Sequence, residues 1–176
     1  MCSSDLDGYY NAPDQRIGAF ILHCVRPAQS GGHNEILDPE IAYIRLRDEN
    51  PDFVRALMHP QAMTIPESKS DGNVRLVSVG PVFFADAATG RLHMRYTART
   101  RSITWRDDPT TLEAVGFLRQ CLAGGEPLVQ QISLGPGQGI LNNNVLHNRS
   151  GFADGMSADT GRLVYRIRFH NRVGGV

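Results

Sequence analysis

Arg162-Leu163-Val164-Tyr165-Arg166-Ile167-Arg168-Phe169 is an alternating run near the end of the chain. Strand side chains point to opposite faces in turn. Leu163, Tyr165, Ile167 and Phe169 therefore share one face, and Arg162, Val164, Arg166, Arg168 and His170 share the other. The apolar row is expected to pack against a neighbouring layer. The basic row then faces either bulk water, the usual place for arginine, or a polar cavity. The preceding segment favours the cavity. Gly135-Pro136-Gly137-Gln138-Gly139 reads as a tight turn, Ile140-Leu141 as a short apolar strand, and Asn142-Asn143-Asn144-Val145-Leu146-His147 as a polar ridge ending in an imidazole. A metal-binding imidazole one short loop from a row of guanidinium groups suits a chelating dianion.

Upstream of this pair, residues 17–25 (Ile-Gly-Ala-Phe-Ile-Leu-His-Cys-Val) are nearly continuous apolar sequence and read as a buried strand. Ser30-Gly31-Gly32 reads as a turn and Glu35-Ile36-Leu37 as a short strand. Asp38-Pro39 is an N-cap and first-turn pair opening a helix to about residue 48, and a second helix spans residues 51–58. Ile41, Ile44, Phe53, Val54 and Leu57 supply their apolar faces, which are expected to pack on the outside of a sheet. Residues 74–79, 82–85 and 92–96 read as strands, with Thr89-Gly90 as the hairpin turn between the last two. Asp107-Asp108-Pro109 opens a third helix that ends at Gly124-Gly125, and residues 128–134 and 162–170 are expected as closing strands. Short strands with a few external helices predict a mainly β jelly roll or related barrel.

The chain has 176 residues, enough for one domain, and 18 basic residues balance 18 acidic ones. That balance gives no electrostatic case for nucleic acid or an anionic membrane surface. No apolar run approaches the roughly 20 residues of a membrane span. Cys2, Cys24 and Cys121 sit at unpatterned spacings, which argues against a disulfide framework and for a reducing cytoplasm.

A metal at His147 needs partners, and Asp7 in Asp7-Gly8-Tyr9-Tyr10-Asn11 is the oxygen ligand at hand. A carboxylate with imidazoles and open positions is the ligand set of non-haem Fe(II) oxygenases. Taken in order, Asp7, Gly31-Gly32-His33-Asn34, Thr89-Gly90-Arg91, His147 and Arg162…Arg166 resemble the motifs of the Fe(II)/2-oxoglutarate-dependent dioxygenases of the taurine dioxygenase superfamily, which includes clavaminate synthase-like proteins. The resemblance runs from Asp7 to Arg172. It implies a double-stranded β-helix (jelly roll), incomplete at the N-terminus, with Fe(II) on Asp7 and His147, and 2-oxoglutarate and O2 as co-substrates. Arg162 matches the position that pairs with the distal carboxylate of 2-oxoglutarate, with Asn34 as helper where the family has a hydroxyl residue. Arg166 matches the position that in some relatives meets an anionic substrate, and Arg168 is the fallback for either task. Tyr9, Tyr10 and Asn11 are expected at the substrate mouth. The implied activity is hydroxylation of a small, anionic substrate, with release of succinate and CO2.

The family's first metal histidine lies two residues before the aspartate, and here that position is Asp5. Met1-Cys2-Ser3-Ser4-Asp5-Leu6 back-translates to GTG TGC TCT TCC GAT CT, which resembles a common sequencing-library adapter. Residues 1–6 are therefore expected to be a non-native leader on a partial domain spanning 7–176, with histidine natural at position 5. A genuine short homologue with a degenerate site is the competing explanation. Without that histidine, weak iron binding and little turnover are expected, and edges left open by truncation would favour a homo-oligomer. His23 is expected as a core histidine and Trp105 as packing. His33 could support the site or sit on the turn surface, and His59 and His93 show no partner. Arg95, Arg99 and Arg101 read as a partly structural basic cluster. The alternative function is a non-catalytic, metal-binding jelly-roll protein.

Overall fold

The computed structural model describes residues 6–70, 73–87, 89–98, 103–123, 125–154 and 161–174. Its backbone is mainly β. The chain runs through β1 (Ala19–Arg26), β2 (Ser30–Gly31) and β3 (Asn34–Leu37), then α1 (Pro39–Glu49) and α2 (Pro51–Leu57). Next come β4 (Met63–Ile65), β5 (Ser68–Ser70), β6 (Asn73–Arg75), β7 (Ser78–Gly80), β8 (Phe83–Ala85), β9 (Leu92–Met94) and β10 (Thr104–Trp105). After α3 (Pro109–Ala123) follow β11 (Gln130–Ile132), β12 (Gly139–Asn142), β13 (Leu146–Arg149), β14 (Phe152–Ala153) and β15 (Leu163–Phe169). Antiparallel pairing gives three-stranded sheets ordered β12-β1-β15, β10-β4-β7 and β11-β3-β13, with two-stranded ribbons β14-β2, β5-β6 and β8-β9.

The helices start where their caps lie. Asp38 accepts the Glu40 N–H at 2.9 Å, Asn50 accepts that of Asp52 at 3.0 Å, and Asp108 accepts that of Thr111 at 3.0 Å. Each cap is followed by proline, whose missing N–H costs nothing in a first turn. The apolar faces differ in part from expectation. Ala42 and Leu46 are the buried apolar residues of α1, whereas Ile44 is exposed. The three helices pack against one another, and α1 also packs against β9. The core joins Leu46, Leu57 and Leu118 of the helices to Met63, Ile65, Phe83, Met94 and Leu146 of the strands.

The hairpin at Thr89-Gly90 forms as expected. Gly90 has φ +67°, its N–H donates to Asp86 O, and Asp86 Oδ1 accepts from Thr89 N–H. The run 74–79 is not one strand: exposed Leu76 and Val77 separate β6 from β7, which belong to different sheets. The run 128–134 forms strand only over β11. Ser30-Gly31-Gly32 turns through two positive-φ glycines, but Ser30–Gly31 also pairs with β14. Strands β4, β5, β10, β13 and β14 have no counterpart in the strand expectations.

The sheet β12-β1-β15 sets the character of the last strand. Phe20 pairs with Arg168, Leu22 with Arg166 and Cys24 with Val164, so these residues share the inner face. On the outer face Tyr165 and Ile167 are 56% and 57% exposed, and Leu141 is exposed beside them. The apolar row therefore does not pack under a layer; only the Phe20 side of this sheet is covered. His23, opposite Tyr165, is on that outer face and is exposed, not a core histidine.

Leu46 is fully buried where α1 enters the core. Leu46→Ala is expected to lower the unfolding free energy by about 2–5 kcal/mol. Urea denaturation measures it, and a loss below about 1 kcal/mol would contradict a close-packed helix cluster.

Candidate functional site

The segment 6–10 crosses the sheets as a strap fixed on both sides of Asp7. Leu6 N–H donates to Tyr96 O at 3.1 Å, and Arg95 Nε donates to Tyr9 O at 2.7 Å. Leu6, the last residue of the expected leader, is buried in the core. Asp7 is nearly buried, its side chain 11% exposed. Its Oδ1 accepts from Arg166 Nη1 at 3.0 Å and from Arg168 Nη2 at 3.4 Å. Its Oδ2 is buried and makes no hydrogen bond. A buried carboxylate oxygen with lone pairs unused is a costly arrangement unless something positive comes to it.

His147 lies on β13 opposite Ile36 of β3. Its Nδ1 is 3.0 Å from Val145 O. A carbonyl only accepts, so Nδ1 carries the hydrogen, and in the neutral ring Nε2 holds the lone pair a metal would use. The Phe20 ring, 4.7 Å away between centroids, packs against the imidazole. Asn34, in the middle strand of its sheet, pairs with Arg149 and Ile132. It is buried, and its Nδ2 finds no partner.

Asp7, Tyr9, Tyr10, Asn34, His147, Arg162, Arg166 and Arg168 all line one cavity of about 570 Å³, together with Arg149. The basic row of β15 thus faces a polar cavity, although Arg166 and Arg168 remain partly open to solvent. The Arg149 and Arg162 guanidinium groups lie 4.4 and 5.3 Å from the centre of the Phe152 ring. Burial, and then the neighbouring Arg149 charge, push the Arg162 guanidinium below its ordinary value. Arg149 was not anticipated, although strand alternation from His147 would have found it two residues on. The donor set suits a divalent ion beside an anion: one unsatisfied carboxylate oxygen, one imidazole fixed through Nδ1, and four guanidinium groups. Asp5 lies outside the described residues. Among the described residues no group of three His, Cys, Asp or Glu that could hold a metal ion comes together.

Other expected residues stand elsewhere. Asn11 is not in this cavity; its Nδ2 donates to Gln15 O and ties a 3-10 turn (Pro13–Gln15). Arg95 is structural: buried, it bonds Tyr9 O, Met63 O, Ser78 O and Ser78 Oγ. Arg99 and Arg101 lie outside the described residues. His33 Nδ1 bonds the Ser150 hydroxyl at 3.0 Å, and His59 Nδ1 accepts from Gln61 N–H. Trp105 packs against the core. His93 does have partners, because it stacks on Phe84 and contacts Asn144 Nδ2 at 3.3 Å. Asn144 is a further residue missed. At φ +59° its side chain pairs with both N–H and C=O of Met94, tying β9 to the turn before β13. A larger cavity, of about 960 Å³ beside His93 and Arg172, contains none of the expected site residues.

The fold is shared with iron-dependent oxygenases of known structure. An asparagine oxygenase solved with Fe(II), hydroxyasparagine and succinate superposes with TM-score 0.65 at 18% identity, over 93% of this chain and 48% of its own. The oxygenase OrfP, solved with Fe, succinate and hydroxyarginine, gives TM-score 0.68 at 16% identity over 96% of this chain and 48% of its own. The chain belongs to the taurine catabolism dioxygenase TauD, TfdA family, whose profile matches residues 8–168. A uridine-5'-phosphate dioxygenase from Amycolatopsis sp. is 32% identical over 145 residues, covering 76% of this chain and 49% of the relative. The chain spans about half the length of these relatives.

Burial, then the Arg16 and Arg172 charges, push His93 down from 6.5 to about 4. Because the folded value lies below the unfolded one, the unfolded chain binds the proton more readily. The contribution of neutral His93 is thus complete above about pH 6.5 and is lost as pH falls through about 4, amounting to about 3 kcal/mol at most. In His93→Phe the fall in urea midpoint between about pH 7 and about pH 4.5 should shrink. An undiminished fall would place the acid sensitivity on other groups.

Proposed function

We propose that this chain is part of a non-haem Fe(II)/2-oxoglutarate-dependent dioxygenase that hydroxylates a small, anionic substrate. The observation that carries the reading is Asp7: its Oδ2 is buried without a partner in the same cavity as an imidazole held through Nδ1 and four guanidinium groups. Asp7 Oδ2 and His147 Nε2 would hold Fe(II), with a third ligand, natively histidine, at position 5. In this reading the domain is a jelly roll that this chain supplies in part. Bound there, Fe(II) would supply the oxygen-activating chemistry that couples decarboxylation of 2-oxoglutarate, to succinate and CO2, to oxidation of a substrate C–H bond.

The chain's own residues bind and orient. Arg162, half-buried and stacked on Phe152, pairs with the distal carboxylate of 2-oxoglutarate, where a planar fork can bond both oxygens. Asn34 Nδ2, a buried donor without an acceptor, hydrogen-bonds that same co-substrate. Arg166 and Arg168, already gathered on an anionic oxygen, take the anionic group of the substrate, and Tyr9 and Tyr10 wall the mouth. The uridine-5'-phosphate dioxygenase relative supports an anionic substrate, since its named substrate carries a phosphate. Cys24 and Cys121 are free, which fits a cytoplasmic enzyme.

Anaerobic titration of the intact protein with Fe(II) and 2-oxoglutarate should produce a metal-to-ligand charge-transfer band. Asp7→Asn and His147→Ala should each abolish it. Arg162→Met should raise the 2-oxoglutarate needed about tenfold or more, because a buried charge pair is broken. Metal uptake without succinate release would select a non-catalytic metal-binding protein instead. An intact parent that never consumes 2-oxoglutarate would end the dioxygenase reading.

A further inference from the structure

Arg95 is a buried cation whose hydrogen bonds all go to neutral oxygens. Its Nε donates to Tyr9 O at 2.7 Å, Nη1 to Met63 O at 3.2 Å, and Nη2 to Ser78 O at 2.8 Å and Ser78 Oγ at 3.1 Å. One planar fork thereby joins the strap 6–10 to β4 and β7. Burial alone lowers its value to about 10, so it remains charged at neutral pH. Among the described residues it faces no carboxylate, and such a buried charge is not the arrangement that stability alone would select, since apolar packing of like volume commonly does as well. What the fork adds is direction. The strap is fixed by Leu6 N–H on Tyr96 O and by Tyr9 O on Arg95 Nε, with Asp7 between the two bonds.

We propose that Arg95 is a positioning residue for the Asp7 carboxylate: through Tyr9 O it sets where the metal-binding oxygen stands in the cavity. The inference rests on Asp7 as a metal ligand. Arg95 does not line that cavity. Lysine preserves the charge but not the three-way fork, so charge and geometry can be separated. Gly80 offers a second route to the same guanidinium, because a Cβ there would lie 3.3 Å from Arg95 Nη1. Gly80→Ala displaces the fork by a few tenths of an ångström without removing it.

The test is Mn(II) binding to the intact protein, followed by the electron paramagnetic resonance of the free ion, together with amide exchange of residues 6–10. Asp108→Ala, which removes the α3 cap without touching any of the Arg95 hydrogen bonds, serves as the control for a general loss of stability. Arg95→Met and Arg95→Lys should weaken Mn(II) binding about tenfold or more, the usual effect of removing a group that orients a ligand. Gly80→Ala should weaken it less, and Asp108→Ala not at all. Exchange across the strap should rise in both Arg95 variants while α3 stays protected. Should Arg95→Met fail to fold, Arg95→Lys and Gly80→Ala carry the test. Mn(II) affinity equal to wild type in the folded Arg95 variants, or a loss matched by Asp108→Ala, overturns the proposal. A wild-type protein that takes up no Mn(II) removes Asp7 and His147 as ligands instead, and unchanged strap exchange in the variants then overturns the Arg95 role separately.

Discussion

The acidic wall of the site depends on a charge buried away from it. Arg95 enters the interior without a carboxylate partner among the described residues, and its donors are satisfied by carbonyls of the strap and of β4, and by both oxygens of Ser78 in β7. Desolvating a guanidinium costs several kcal/mol unless its donors are used, so once folded it cannot let go of these acceptors cheaply. The strap carrying Asp7 has no strand of its own among the described residues. It takes its position from the backbone bond at Tyr96 and from this fork. The irregular segment is thus as well placed as a strand residue would be.

The cavity that results is electrostatically one-sided. Among its described lining residues Asp7 is the lone acid, against guanidinium groups on Arg149, Arg162, Arg166 and Arg168. They divide in two. Arg149 and Arg162 share Phe152, and the Arg149 charge disfavours that of Arg162, whereas Arg166 and Arg168 share Asp7 Oδ1. A divalent cation alone would meet repulsion here at short range, and an anion alone would compete with Asp7 for Arg166. A cation and a chelating dianion entering together relieve both difficulties. In the proposed reading the metal and its co-substrate therefore support each other's binding, a coupling that follows from charge and not from any motion.

Much of this was legible in the sequence because local chemistry decided it. Asp38-Pro39 and Asp108-Pro109 marked helix starts, Thr89-Gly90 marked a hairpin, and alternation placed Arg162, Arg166 and Arg168 on one face. Asp7 and His147, 140 residues apart in the chain (147 − 7), do line one cavity. What escaped was set by tertiary context. Neither Arg95 nor Asn144 has a pattern announcing that its side chain will replace a backbone partner. Asn11 looked like a continuation of the substrate mouth because it follows Tyr10, but the positive φ of Gly8 turns the chain and sends the amide to Gln15. Strands of two or three residues, such as β5 and β10, are too short for a period to show.

The last strand shows where pattern reading stops. Alternation divides β15 correctly into two rows, yet it cannot say which row is covered. The apolar row of Tyr165 and Ile167 was the natural choice for the core, because hydrophobicity is the usual guide to burial. The arginine row instead faces the cavity, with Phe20 and Leu22 of β1 beside it, while Arg166 and Arg168 stay partly open to solvent. Arginine permits this, since its methylenes can lie on apolar surface while its head stays hydrated or paired. A strand with arginine inward and isoleucine outward contradicts the ordinary rule, and a site that needs fixed positive charge is one circumstance in which that inversion is stable.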